Sequence, residues 1–112
     1  MNTNTNVTLP DAIVRYFDAS NRFDSESAAA CFTSDAIVRD EGQTHVGTEA
    51  IRNWISHASE KYQPQATALN ARQNGEKLAV AVRVTGQFPG SPAELEFEFT
   101  LRQEGIAELA IQ

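Results

Sequence analysis

The chain has few of the features that most functional motifs require. It contains a single cysteine, Cys31, so no disulfide can form within it, and this favours a reducing compartment. Nine basic residues stand against fifteen acidic ones, and the resulting formal charge of −6 repels nucleic acid and anionic lipid. No apolar run approaches the length of a membrane span. We therefore expect a cytoplasmic protein with neither a nucleic-acid nor a membrane partner.

Sequence motifs with a strong functional meaning are also missing. There is no glycine-rich phosphate loop, no CxxC pair, no GxSxG elbow and no HExxH helix. With 112 residues, the chain has the size of one compact domain. We expect residues 1–8, which are rich in Asn and Thr, to form a flexible tail, and residues 9–112 to form a single α+β domain.

Three helices are predicted in the first half of the chain. Apolar residues at helical spacing predict the first over residues 9–21. A second, short helix is expected from Asp24 or Ser25, either of which can cap it, to about Thr33. Thr48 is expected to cap the third helix. This helix has the most regular apolar stripe, formed by Ile51, Trp54, Ile55, Ala58 and Tyr62.

Strands are predicted where the period changes from helical spacing to two. Residues 35–40 and 44–46 indicate a hairpin around a Glu-Gly turn. Residues 77–88 and 94–102 alternate apolar with polar side chains, and a last strand reaches Ile111. Helices that come first and cover one face of an antiparallel sheet are typical of the α+β layer arrangement.

Two local patterns add a resemblance to this order of elements. Phe32 precedes Asp35-Ala36 in an "aromatic, x, x, Asp-Ala" pattern, and Gly47 precedes Ala50-Ile51 in a "Gly-x-x-Ala-Ile" pattern. Over roughly residues 9–111 the chain resembles the nuclear transport factor 2-like superfamily, in its SnoaL-like and ketosteroid isomerase-like branch. The resemblance implies a cone-shaped, curved antiparallel sheet wrapped around three helices from the N-terminal half. That fold hosts isomerases, dehydratases, cyclases and non-catalytic subunits, so it does not by itself define an activity.

The resemblance also implies roles for individual residues. Tyr16 matches the position from which ketosteroid isomerases donate a hydrogen bond to the enolate oxygen, and Asp40 matches their general base. Independently, period-two counting places Asp40 on the same strand face as Val38 and Ala36, as expected for a pocket acid. Phe99 stands where those isomerases have a second, protonated acid. Steroid isomerase activity is therefore not expected.

A wall of apolar side chains should surround Asp40 and Tyr16. The predicted lining consists of Trp54, Phe99, Phe97, Val82, Val84, Val38, Phe32 and Ile55. The alternatives are that Asp40 is a solvated strand-end residue entering a turn, and that Tyr16 and Trp54 are ordinary core aromatics.

The remaining chemically active residues have simpler interpretations. His45 is either a proton partner of Asp40 at the rim of the cone or, as we favour, a surface residue. His57 lies off the apolar stripe of its helix and is expected at the surface, and Cys31 is expected to be a small buried hydrophobe. No two candidate ligands have the spacing of a zinc site, so we expect neither a metal nor a cofactor.

Two functions agree with these residues. The first is a small-molecule enzyme of isomerase, cyclase or dehydratase type, with Asp40 as base and Tyr16 as hydrogen-bond donor to an apolar or carbonyl-bearing substrate. The second is a non-catalytic ligand-binding, accessory or dimerisation domain. Glutamates 94, 96 and 98 share a strand face and require basic partners opposite. We expect a homodimer formed through that face of the sheet.

Overall fold

The computed structural model describes residues 8–103 and 105–112, which form three helices and six strands. The elements follow in the order α1 (Asp11–Asn21), α2 (Ser25–Ala29), β1 (Phe32–Asp40), β2 (Gln43–Val46), α3 (Thr48–Tyr62), β3 (Gln65–Asn74), β4 (Lys77–Thr85), β5 (Ala93–Arg102) and β6 (Gly105–Ile111). The predicted tail, apart from Thr8, lies outside the described residues, and so does Glu104 before β6. Among the helices described, none is long and apolar enough to cross a membrane.

The six strands form one curved, unclosed sheet in the order β2-β1-β6-β5-β4-β3. The α+β cone architecture is thereby confirmed. One feature differs from the expected antiparallel sheet, because β1 and β6 run parallel while every other neighbouring pair is antiparallel. The chain leaves the β1–β2 hairpin through α3 and enters the β3–β6 meander at its far edge. Its last strand therefore returns beside β1 in the same direction.

The junction between α2 and β1 lies earlier than the sequence predicts. The helix ends at Ala29 and not near Thr33, and the strand already begins at Phe32. Backbone pairing with β6 accounts for the difference. The Ile106 N–H donates to the Cys31 carbonyl at 2.9 Å, and Phe32 pairs with Ile106 in the parallel ladder. These long-range hydrogen bonds outweigh the helix propensity of the preceding alanines.

The helix starts differ in how their free N–H groups are satisfied. Asp24 caps α2 as expected, since its carboxylate accepts a hydrogen bond from the Ser27 N–H at 3.1 Å. In α3, however, the N-cap is Gly47 and not Thr48, and no side chain caps the helix. Gly47 has φ +91°, and its N–H donates to the Ala36 carbonyl at 3.0 Å. Such a backbone conformation favours glycine, so the start of α3 is set by the conformation of Gly47 and not by a side-chain cap.

The end of β4 is set by a close contact with α3. The strand stops at Thr85, three residues before the predicted Phe88. A Cβ atom on Gly86 would lie 2.7 Å from the Tyr62 carbonyl oxygen, so this approach requires glycine. The Gln87 N–H then donates to the same carbonyl at 2.7 Å. The chain therefore turns against the C-terminal end of α3.

The centre of the core is a group of aromatic rings between α1 and the sheet. Tyr16 meets Phe32 edge-on at 5.4 Å between ring centroids, and Phe17 meets Phe97 at 5.6 Å and Phe99 at 5.9 Å. Phe99 has no exposed surface. Adjacent positions on one helix thus bury two aromatic rings against two neighbouring regions of the sheet. Pairs of this kind add about 0.5–1.5 kcal/mol beyond the effect of buried area.

Asn21 connects the last turn of α1 to the edge strand β3. Its side-chain Nδ2 donates to the Ala66 carbonyl at 2.9 Å, and its Oδ1 accepts from the Ala66 N–H at the same distance. The amide therefore satisfies both backbone polar groups of one residue on β3. This pair of hydrogen bonds keeps the end of α1 beside the far side of the sheet.

We expect the substitution Asn21→Ala to lower the free energy of unfolding by about 1–3 kcal/mol, because both polar groups of Ala66 lose their partner. Urea denaturation measures the loss. Asn53→Ala, on the exposed face of α3, is the matched control and should not destabilise the protein. Equal stability of the two variants would contradict the structural role of Asn21.

Candidate functional site

A cavity of about 900 Å³ lies between α1, α3 and the sheet. Its aromatic lining consists of Tyr16, Phe17, Trp54, Tyr62, Phe88 and Phe97. Its partly buried polar side chains are Ser20, Asn21, Asp40, His45 and Ser59. Its mouth is bordered by the exposed residues Glu41, Gln43, His57, Glu60, Lys61 and Pro89. The volume is that of a site for a small organic molecule.

Asp40 lies on the wall of this cavity at the end of β1. The two residues before it on the same strand face, Ala36 and Val38, have no exposed surface, so the carboxyl group follows an entirely apolar run. Trp54 on α3 donates its indole N–H to Asp40 Oδ2 at 3.1 Å. Burial raises the pKa of Asp40, and the hydrogen bond from Trp54 opposes that shift. The group therefore holds a proton more readily than an exposed carboxyl.

Tyr16 reaches the same cavity from α1. The residue is buried, with 4% of its surface exposed. Burial raises the pKa of its phenol, the negative charge of Asp40 raises it further, and a hydrogen bond with the Ser20 hydroxyl acts in the opposite direction. The phenol therefore remains protonated at any physiological pH and is available as a hydrogen-bond donor.

His45 also lies on the cavity wall, so the surface interpretation of this residue is wrong. It pairs with Val38 in the β1–β2 ladder, two positions along from Asp40 and on the same face. Its ring lies 5.9 Å from the Trp54 ring at an interplanar angle of 31°. The other histidine, His57, is exposed at the mouth, in agreement with its predicted surface position.

The predicted apolar wall divides into two groups. Four members border the cavity: Trp54, Ile55, Val84 and Phe97. The other four lie in the core and do not border it: Phe32, Val38, Val82 and Phe99. Two members of the second group, Phe32 and Phe99, lie directly against the rings of Tyr16 and Phe17 on α1.

Several lining residues were missed in the sequence. Ser20 follows Tyr16 by one helical turn, so helical spacing could have placed it on the same face. Ile111 is the cross-strand partner of Phe97, which only the strand pairing reveals. Phe88 lies in the turn between β4 and β5, and an aromatic residue in a Pro-Gly turn is a signal of packing that periodicity does not detect.

Cys31 lies apart from this site. It borders a second cavity, of about 660 Å³, on the far side of α1, and its thiol donates to the Ser27 carbonyl at 3.5 Å. Burial raises the pKa of the Cys31 thiol. The group is partly buried rather than fully buried, and it has the low reactivity expected of a structural cysteine.

Comparison with known proteins identifies the class to which this architecture belongs. A model of the SnoaL-like domain matches residues 13–108. The chain therefore belongs to the SnoaL-like family, within the nuclear transport factor 2-like superfamily. No curated protein sequence matches it.

Solved structures agree with this assignment. A protein from Sinorhizobium meliloti, provisionally named a polyketide cyclase, is 39% identical with a TM-score of 0.88, over 93% of this chain and 95% of that one. A protein of ketosteroid isomerase-like fold from Catenulispora acidiphila, solved with trimethylamine, is 19% identical with a TM-score of 0.82, over 94% and 86% of the two chains. A nuclear transport factor 2-like protein from Cytophaga hutchinsonii is 14% identical with a TM-score of 0.76, over 98% and 93%. The last two comparisons concern the fold alone.

We expect Asp40→Asn to leave the melting temperature at neutral pH equal or higher. The amide oxygen can still accept from Trp54, and the variant no longer carries a partly buried charge. The pKa of Asp40 is raised in the folded state. The native carboxyl therefore stabilises the fold at a pH below its ordinary pKa of 3.8, and this stabilisation is lost as the pH rises through the raised pKa. Calorimetry across the acid range should therefore show that the variant's higher melting temperature falls to that of the native protein as the pH is lowered.

The control for this series is Glu76→Gln, an exposed change of the same charge in the β3–β4 turn. Its melting temperature should follow that of the native protein at every pH. A variant Asp40→Asn that melts several degrees lower at neutral pH would instead identify Asp40 as a structural hydrogen-bond partner of Trp54.

Proposed function

We propose that the protein binds a small apolar or carbonyl-bearing molecule in the cavity and transfers a proton within it. Asp40 is the base and Tyr16 the hydrogen-bond donor. The observation that carries this proposal is that both side chains border one cavity with a mainly apolar lining, although they come from β1 and α1. A carboxyl of raised pKa beside a protonated phenol is a suitable pair for chemistry next to a carbonyl.

The proposed step balances without a cofactor. The Asp40 carboxylate accepts a proton from the carbon next to the carbonyl, and the electron pair of that C–H bond moves into an enolate. The Tyr16 hydroxyl donates a hydrogen bond to the enolate oxygen, where the negative charge develops. The Asp40 carboxylic acid then returns the proton to a carbon of the enolate, which regenerates the carboxylate.

The relative from Sinorhizobium meliloti supports a carbonyl-bearing substrate. It is 39% identical over nearly the whole of both chains, and its provisional name is polyketide cyclase. Polyketides carry ketone groups, whose neighbouring C–H bonds are the most acidic in such molecules. Deprotonation at such a position is the step that the pair of Asp40 and Tyr16 suits.

A simple ketone tests the step without knowledge of the natural substrate. We expect the protein to accelerate the exchange of the α-hydrogens of 2-tetralone for deuterium in D₂O, followed by proton NMR. Asp40→Asn should reduce the protein-dependent rate by about a hundredfold or more, since a general base contributes about 10²–10⁴. Tyr16→Phe should reduce it by a smaller factor, because one hydrogen-bond donor to the enolate is lost.

Glu76→Gln, far from the cavity, should exchange the ketone at the native rate. Identical rates for the native protein and Asp40→Asn would reject the catalytic proposal. They would favour the second candidate, a non-catalytic ligand-binding or accessory domain. The observation behind that alternative is Phe99, a fully buried apolar residue where the resemblance implies a second acid, so the enolate would have one donor fewer.

We further propose that the protein is a homodimer formed through the outer face of the sheet and that it works in the cytoplasm. On that face Ala81 on β4 lies beside Glu96 on β5, and its small side chain allows close approach of a second sheet. Arg72 and Arg83 form ion pairs with glutamates 96 and 94 at 3.4 and 3.3 Å, so the charge is largely balanced within the face. The free thiol of Cys31 supports a reducing compartment.

The substitution Ala81→Glu should convert the dimer to a monomer, because a further carboxylate next to Glu96 introduces both bulk and repulsion between the two faces. Sedimentation velocity over a range of concentrations measures the change. Ala30→Glu, at the exposed end of α2, is the control and should leave the dimer intact. A native protein that sediments as a monomer at high concentration would contradict the proposal.

A further inference from the structure

Asp40 lacks the cationic partner that a partly buried carboxylate usually has. Eight ion pairs occur among residues 8–103 and 105–112, and none of them involves Asp40. Its hydrogen-bond donors, the Trp54 indole at 3.1 Å and the Glu41 backbone, are both neutral. His45 also acts on the charge of Asp40, but its influence is smaller than that of Trp54. The carboxylate therefore retains unbalanced negative charge at the cavity wall.

Most of the charged groups around the cavity are negative. Its lining and mouth contain three carboxylates, Asp40, Glu41 and Glu60, against one ammonium group, that of Lys61. The chain as a whole has a formal charge of −6. A concave site with apolar walls concentrates such a field, so the cavity attracts cations and repels anions.

The aromatic lining is itself suited to a cation. Six aromatic side chains border the cavity, among them Trp54, which lies against Asp40 through its indole N–H. Tryptophan and tyrosine rings attract ammonium groups through their negative faces, most strongly where water is excluded. At the mouth this contact already occurs within the chain, because the Lys61 ammonium lies 5.2 Å from the centroid of the Tyr62 ring.

From these features we infer that the ligand of the cavity is an organic ammonium ion, an apolar molecule with an alkylated amine that lies between Asp40 and the surrounding aromatic rings. The inference rests on the binding part of the proposed function and does not depend on proton transfer. An ammonium group supplies the charge that Asp40 lacks, and its alkyl groups fill the aromatic space. An alkyl carbon in place of the nitrogen would fill the same space and leave Asp40 unpaired.

Two probes of equal shape separate charge from size. Choline and 3,3-dimethylbutan-1-ol differ only in having a quaternary nitrogen or a carbon at the branched centre. Trp54 is the single tryptophan of the chain and borders the cavity, so its fluorescence reports binding of either compound. The substitution Asp40→Asn removes the charge under test from the cavity wall and keeps the shape of the side chain.

We expect choline to bind the native protein about tenfold more tightly than its neutral analogue. In Asp40→Asn the preference should fall to about threefold or less, with the affinity for 3,3-dimethylbutan-1-ol unchanged or higher. Glu76→Gln removes the same charge far from the cavity and should retain the full preference.

Three other outcomes are informative. Equal or tighter binding of the neutral compound to the native protein would overturn the inference and leave the proposed function in place. An undiminished preference in Asp40→Asn would also overturn it, because the charge that selects the cation would lie elsewhere. If neither compound binds, and 2-tetralone also leaves the fluorescence of Trp54 unchanged, both the inference and the proposed small-molecule site fail together.

Discussion

Tyr16 and Phe17 are adjacent on α1, and their rings hold this helix against the sheet through Phe32, Phe97 and Phe99. A helix of eleven residues is only about 16 Å long, so it covers one part of a sheet whose strands reach ten residues. Beneath these rings Phe99 is core, whereas Phe97, which also packs on Phe17, borders the cavity. α3 provides the opposite wall. The cavity therefore exists because the aromatic residues of one short helix cover only part of the apolar face of the sheet.

Hydrophobic periodicity predicts the parts of this fold in which one face is continuously buried. The stripe of α3 and the alternation of β4 and β5 are of this kind, and their observed bounds differ by few residues from those expected. Periodicity predicts less where pairing between distant segments determines the structure. β3 has no clear alternation because a register shift between Ala68 and Asn70 interrupts it, and the parallel pairing of β1 with β6 joins segments far apart in sequence. Neither feature has a local signal.

The candidate site was predictable to the extent that it depends on the alternation of side chains between the two faces of a strand. Counting by two from Ala36 places Asp40 inward, and the structure has both residues on the covered face. The alternation of side chains cannot tell which inward residues border the cavity and which are enclosed in the core. This is why Val82 and Phe99 were expected on the wall and are core, whereas Val84 and Phe97, on the same two strands, border the cavity. His45 shows the converse: its place on this face follows from its pairing with Val38, which the register of the β1–β2 hairpin fixes and the pattern of β2 alone does not contain.

The order in which Asp40 and Tyr16 ionise connects the two proposals. Burial raises the pKa of both groups, but the phenol starts from 10.0 and the carboxyl from 3.8, so the carboxyl always loses its proton first. Once charged, Asp40 raises the pKa of Tyr16 further and so preserves the phenol as a donor. A neutral ketone in the cavity would add to the desolvation of Asp40 and make it a stronger base. An ammonium ligand would act oppositely, stabilising the carboxylate and weakening it as a base. A substrate with both groups would combine these effects, because its cation would keep Asp40 ionised while its carbonyl accepted the hydrogen bond from Tyr16.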